Sequence, residues 1–159
     1  MKKTNAVRWA EKCGMAVEVA EYEVDESDLS AERAAEKMHV SPDEIFKTLV
    51  LRSDKGEILV ACIPGYMEID LKALARAGGY KKVEMVHMKE IRNLTGYIRG
   101  GVSPLGMKKD YPLFIDERAQ AQPLIYVSAG RRGLQMHIRS EDLVRASKGK
   151  VCAIASEKQ

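Results

Sequence analysis

Phe46-Lys47-Thr48-Leu49-Val50-Leu51-Arg52, then Asp54-Lys55-Gly56, then Ile58-Leu59-Val60-Ala61-Cys62-Ile63 is the stretch whose reading decides the fold. An apolar run, a turn carrying glycine and a second apolar run predict two hairpin-linked strands, the second largely buried. Helix signals flank the hairpin on both sides. Upstream, Ser30 predicts a cap for a helix with Ala31, Ala34, Ala35 and Met38 on one face. Ser41-Pro42-Asp43-Glu44 predicts a short second helix, with Ser41 as cap, Pro42 in the first turn and Glu44 closing a capping box. Downstream, Asp70 predicts a cap for a helix over 71–77 that stops at Gly78-Gly79, followed by a strand at Val83 and Met85 and a helix over 88–94.

Further out, Thr4 caps an expected helix with Ala6, Val7, Ala10 and Cys13 on one face, and alternation over 17–22 predicts a strand. The last third predicts strands over 113–115, 124–127 and 134–138, a helix capped by Ser140, and a closing strand over 151–155. Helices and hairpin-linked strands are mixed without strict alternation, which predicts an α+β (mixed α/β) fold with a mixed sheet. The length of 159 residues suits one domain, 1–159, and no linker-like stretch, repeat or low-complexity tract divides it.

Composition narrows the function classes. Hydrophobic content of 45% with 31% charged residues is that of a globular protein. The net charge of +3 is too mild for a nucleic-acid coating protein, though it leaves room for a local basic face. Cys13, Cys62 and Cys152 show no CxxC spacing, so neither a zinc site nor a disulfide framework is indicated, and reduced thiols suit the cytoplasm. Met1-Lys2-Lys3-Thr4-Asn5 lacks the apolar segment of a signal peptide, and no apolar run reaches membrane-spanning length.

The sequence holds no GxSxG, HExxH, Walker or GxGxxG motif, and His39, His87 and His137 share no metal spacing. The methionines are scattered and read as core fillers and surface residues. Two features stand apart. Thr95-Gly96-Tyr97-Ile98-Arg99-Gly100-Gly101-Val102-Ser103-Pro104-Leu105-Gly106 is rich in glycine. It reads either as a tight connection or as a binding loop, and Gly100-Gly101 can aim successive N–H groups at a carbonyl or phosphate oxygen. Lys47 sits at the mouth of an apolar strand. It either snorkels to solvent or aims a cation into a cleft. Lys81-Lys82, Lys108-Lys109 and Arg131-Arg132 are solvated turns, or one RNA-binding face if the fold unites them.

Seven segments carry a resemblance when taken in order: Phe46-Lys47-Thr48-Leu49-Val50, Asp70-Leu71-Lys72-Ala73-Leu74-Ala75, Lys81-Lys82-Val83-Glu84-Met85, the loop from Thr95 to Gly101, Ser103-Pro104-Leu105-Gly106-Met107-Lys108-Lys109, Phe114-Ile115-Asp116-Glu117, and Val127-Ser128-Ala129-Gly130-Arg131-Arg132-Gly133-Leu134. Together they resemble the YbaK/EbsC family, free-standing relatives of the editing domain inserted in bacterial prolyl-tRNA synthetase. The resemblance covers nearly the whole chain. It implies a curved mixed sheet or barrel wrapped by helices. It also implies a trans-editing aminoacyl-tRNA deacylase that hydrolyses mischarged tRNA(Pro), most often carrying cysteine, beside prolyl-tRNA synthetase and with no metal or other cofactor.

The family's pocket lysine falls on Lys47, its pocket tyrosine on Tyr22, and its glycine-loop position on Gly100, with Gly101 beside it. Ser103 is a further expected substrate contact. In the cysteine branch the substrate's own thiol attacks its carbonyl and leaves as a thiolactone, so no enzyme nucleophile is needed. One position departs from that branch: the aspartate after the Gly-Leu of the last motif is Gln135 here, a neutral hydrogen-bonding group in place of a charge. Two other readings stay open: a deacylase for alanine or another small amino acid that uses a water nucleophile, and a non-catalytic module binding RNA ends or a synthetase.

Overall fold

A computed structural model describes residues 2–158; Met1 and Gln159, the ends of the expected 1–159 domain, lie outside them. The hairpin forms as the sequence predicts. β2 (Phe46–Ser53) and β3 (Ile58–Pro64) pair antiparallel from Phe46↔Pro64 to Arg52↔Ile58. They anchor a five-stranded mixed sheet in the order β5-β2-β3-β6-β9, completed by β5 (Val83–Met85), β6 (Leu113–Asp116) and β9 (Lys150–Cys152). β6 runs parallel to β3 and β9 parallel to β6.

β3 is central, and its alternation feeds two cores. Val60 and Cys62 point into one, Leu59, Ala61 and Ile63 into the other. The first core is closed by an antiparallel sheet of β1 (Glu18–Glu21), β8 (Leu134–Arg139) and β7 (Leu124–Arg131), with α1 (Asn5–Lys12) and α5 (Ser140–Ser147) packed against it. The second is closed by Leu74 and Ala75 of α3 (Leu71–Gly78). Each fully buried Leu or Ile removed from water contributes about 1.5–3 kcal/mol before ordering costs. A separate β4 (Met67–Ile69) pairs with β10 (Ala155–Glu157). α2 (Ala31–Met38) buries only Ala34 and Ala35, against Ile45, and forms a thin wall beside β2.

Thr4, Ser30 and Asp70 cap α1, α2 and α3 through side-chain acceptors, as their spacing predicts. Four expectations are corrected. Residues 41–44 make a turn, not a helix: Glu44 N–H bonds Ser41 O, while the Glu44 and Ile45 carbonyls already accept from Tyr126 and Gly65. Those long-range bonds pull the chain into β2 before a helix can propagate. Ser140 is the first residue of α5 and not its cap, its hydroxyl being donated to Gln122 O at 2.7 Å. The expected 88–94 helix is a 3-10 turn (Met88–Glu90) followed by α4 (Ile91–Thr95). The closing strand is two, because buried Asp116 accepts the Ile154 and Ala155 N–H groups, both at 3.0 Å, and bends the chain between β9 and β10.

Candidate functional site

The cleft exists because β2 loses a neighbour. β5 pairs with β2 only from Leu51 to Ser53, and Val86 N–H adds a bond to Val50 O. Over residues 46–50 no described strand pairs with β2 on that side, and a cavity of about 360 Å³ opens there. β2 forms its floor, α2 and the residues before it one wall, β5 and the 3-10 turn another. The glycine loop and Ser128 and Gln135 of the second sheet close the rest.

Four expected site residues meet in this cleft: Tyr22, Lys47, Gly100 and Gln135. Lys47 is half-buried and makes no hydrogen bond or ion pair among the described residues. Burial lowers its affinity for a proton below the ordinary lysine range; nearby Lys158 adds to this, while Glu32 and Glu68 oppose it. Gln135 is only 7% exposed, and its Oε1 has no hydrogen-bond partner. Thr48 Oγ1 is the other buried side-chain oxygen lacking a hydrogen bond of ordinary geometry; it faces the Cys62 sulfur, a weak acceptor, across the ladder. Both orphaned oxygens belong to cleft residues. A buried polar atom without a partner costs about 1–3 kcal/mol, which a ligand donor would recover.

Two expected residues stand elsewhere. Ser103 is fully buried off the cleft, its hydroxyl accepting Leu105 N–H. Gly101 does not line the cleft, and its N–H is spent on Ile98 O at 2.9 Å. That bond closes a turn whose third residue, Gly100, has φ +84, which favours glycine. Gly101 is glycine for a different reason: a Cβ there would lie 2.8 Å from Arg131 Cα. The loop is therefore a tight connection that delivers Gly100 and Arg99 to the cleft, not a nest of free N–H groups. Arg132 holds it in place, donating to Arg99 O at 2.8 Å and pairing with Glu26 at 3.1 Å. Arg131 lies 3.7 Å from Glu21.

Arg99, Ser128, Leu29, Met85 and Met88 also line the cleft, and sequence reasoning does not assign any of them to the site. Arg99 alone carries a local signal, a cation inside a glycine loop; among the described residues it makes no ion pair. No Asp or Glu is among the described residues that line the cleft; Glu32 and Glu68 act on Lys47 from outside that lining. Cys62, pushed up to about 12 by burial, stays a protonated thiol. Among the described residues no group of His, Cys, Asp or Glu is placed to hold a metal ion, and no helix is long and apolar enough to cross a membrane.

The mixed sheet and the second antiparallel sheet that frame this cleft make the fold of an editing-type domain. Residues 25–146 match the aminoacyl-tRNA editing domain, and the chain belongs to that family of deacylating enzymes. Enterococcus faecalis EbsC, named provisionally as a Cys-tRNA(Pro)/Cys-tRNA(Cys) deacylase, is 44% identical over 156 residues, covering 98% of this chain and 95% of its own. A stretch of 95 residues is 28% identical to part of the proline–tRNA ligase of Brachyspira hyodysenteriae, covering 59% of this chain and 16% of the ligase. The fold is shared with a solved structure described provisionally as a trans-editing enzyme for prolyl-tRNA synthetase (TM-score 0.81, 23% identity, 98% of this chain and 99% of that one).

Proposed function

We propose that this protein clears mischarged tRNA(Pro) in trans, removing cysteine by letting the substrate's own thiol cleave the ester, and that it works beside prolyl-tRNA synthetase. The observation that carries the proposal is the composition of the cleft among the described residues: two cations without an ion pair, an orphaned buried amide oxygen, and no lining carboxylate or reactive thiol to act as base or nucleophile. A site built in this way can bind and orient an activated ester. Its hydroxyls, those of Thr48 and Ser128 among them, have no lining carboxylate or histidine beside them to activate them for attack.

The substrate sulfur attacks the ester carbonyl carbon. A C–S bond forms, the C–O bond to the ribose breaks, and the thiol proton ends on the ribose oxygen; water later opens the released thiolactone to cysteine. Lys47 offers its positive charge to the terminal phosphate or to the developing oxyanion. Gln135 Oε1 accepts from the α-ammonium group, a weaker attraction than a carboxylate would give. Tyr22 and Gly100 set the width of the cleft.

Single-turnover deacylation of Cys-, Ser- and Ala-tRNA(Pro) tests the proposal. Cysteine is released at least about 100-fold faster than serine, whose hydroxyl is a much poorer nucleophile than a thiol. Equal rates for all three would overturn the thiol mechanism in favour of an attacking water.

A further inference from the structure

The two most exposed large apolar side chains among the described residues are Met88, at 56%, and Met85, at 46%. Both line the same cleft, and Val86 and Ile91 continue their wall. Isolated apolar side chains at a surface are ordinary, but these stand together at the mouth of a binding cleft.

The wall is also held still. Met85 pairs with Leu51 in the ladder, and Val86 N–H bonds Val50 O at 3.1 Å. Glu90, at the end of the 3-10 turn that bears Met88, takes two bonds from Arg52, at 2.8 and 3.2 Å, and one from His87 N–H at 3.1 Å. The Arg52 guanidinium holds the Glu90 carboxyl below the usual carboxylate range, so this brace is charged at neutral pH.

We infer that this methionine wall receives the flat face of the 3′-terminal adenine of the aminoacyl-tRNA, an inference that rests on the deacylase reading above. Methionine packs well on aromatic faces through its polarisable sulfur. The four side chains of the wall carry no N–H or O–H donor and no oxygen acceptor, so they grip the face of a base and read none of its edges. The same cleft presents Arg99, a cation without an ion pair among the described residues, to the 5′ phosphate that precedes such a base, and no lining carboxylate repels it. A peptide segment in the same place would press its backbone polar groups against a wall with nothing to satisfy them. The amino acid then lies inward, toward Gln135, and the nucleoside outward, across Met85 and Met88.

The test compares two uncharged hairpin RNAs of the tRNA(Pro) acceptor stem, one ending in CCA and one with an abasic terminal nucleotide. The wild type binds the CCA form about tenfold more tightly, as befits one stacked base. Met85→Ala/Met88→Ala loses that preference while still binding the abasic RNA as well as the wild type does. Met85→Leu/Met88→Leu keeps most of it, which separates lost contact from lost structure. With Cys-tRNA(Pro) the alanine double variant shows a raised KM and an unchanged kcat. An adenine preference retained in the alanine double variant, or absent from the wild type, overturns the inference. If no ester is hydrolysed yet the preference and its loss are seen, the deacylase reading fails and the base-binding wall stands.

Discussion

Two hollows of the molecule stand in contrast, and the larger of them is chemically quiet. A cavity of about 760 Å³ lies beside α5, lined by Ala119, Pro123, Leu124, Val144 and a rim of Arg139, Glu141 and Arg145. Its rim charges are balanced: Arg139 lies 3.6 Å from Glu141, and Arg145 lies 3.5 Å from Asp142. None of its lining side chains has a buried oxygen or nitrogen without a partner. The cleft along β2 has about half the volume, but its lining includes the two residues with orphaned buried oxygens and two cations without an ion pair among the described residues. Folding ordinarily removes such imbalances, because each one costs stability. Where they are gathered in one concave place they mark a site that awaits its complement, and volume alone does not.

The largest effect expected from breaking this contrast is at Lys47. Lys47→Ala lowers kcat/KM for Cys-tRNA(Pro) roughly 100-fold or more, the scale of losing one stabilising donor at a developing charge, with an unchanged unfolding temperature. Its charge also sets a pH signature. Because burial lowers the lysine pKa, the cation is lost at a lower pH than an exposed lysine would lose it, and activity falls on the alkaline side as that proton leaves. In Lys47→Arg the charge persists, so the alkaline fall moves to higher pH. The ratio of the two pH–rate profiles isolates this effect from titration of the substrate thiol. Coincident profiles would remove the Lys47 charge from the mechanism.

Gln135→Leu separates function from stability. It deletes an amide whose Oε1 is buried without a partner, so the folded state gains about 1–2 kcal/mol in denaturant unfolding while kcat/KM drops about tenfold. A variant that is both less stable and fully active would show that the amide is structural.

That pair of residues also indicates how far the sequence can be read. Lys47 is visible because a lysine inside an apolar strand is costly, and Gln135 because a motif places it. The caps at Thr4, Ser30 and Asp70 are visible because they act within three residues. The cleft as a whole is not. Leu29, Met85, Ser128 and Gln135 lie on four separate segments: pairing of β5 with β2 brings in Met85, Ser128 faces Gln135 across β7 and β8, and the bridge between Ile45 and Tyr126 ties that second sheet to the start of β2. The same long-range bonding turns Ser41-Pro42-Asp43-Glu44 from a helix start into a turn. Gly100 and Gly101 look alike in sequence, yet one supplies a positive φ at the cleft and the other makes room for the Arg131 backbone.

Smaller effects sharpen the contrast between cleft and support. Tyr97 is buried under the glycine loop and donates to Leu105 O at 2.6 Å. Tyr97→Phe leaves that carbonyl unpaired and costs about 1–3 kcal/mol of stability. Turnover per folded molecule stays within about twofold, since the hydroxyl serves the loop and touches no substrate; a selective loss of kcat would move Tyr97 into the site. The smallest effect is at the larger cavity, where Arg145→Ala removes an exposed ion pair usually worth less than about 1 kcal/mol and leaves deacylation unchanged.

The most direct measurement is amide hydrogen exchange with and without a non-hydrolysable 3′-cysteinylamido-adenosine. Ligand bound along β2 slows exchange over residues 46–50, 98–101 and 128–135, and leaves residues 119–124 and 139–145 unchanged. Protection confined to the α5 cavity, with the β2 edge exchanging as before, would contradict the placement of the site.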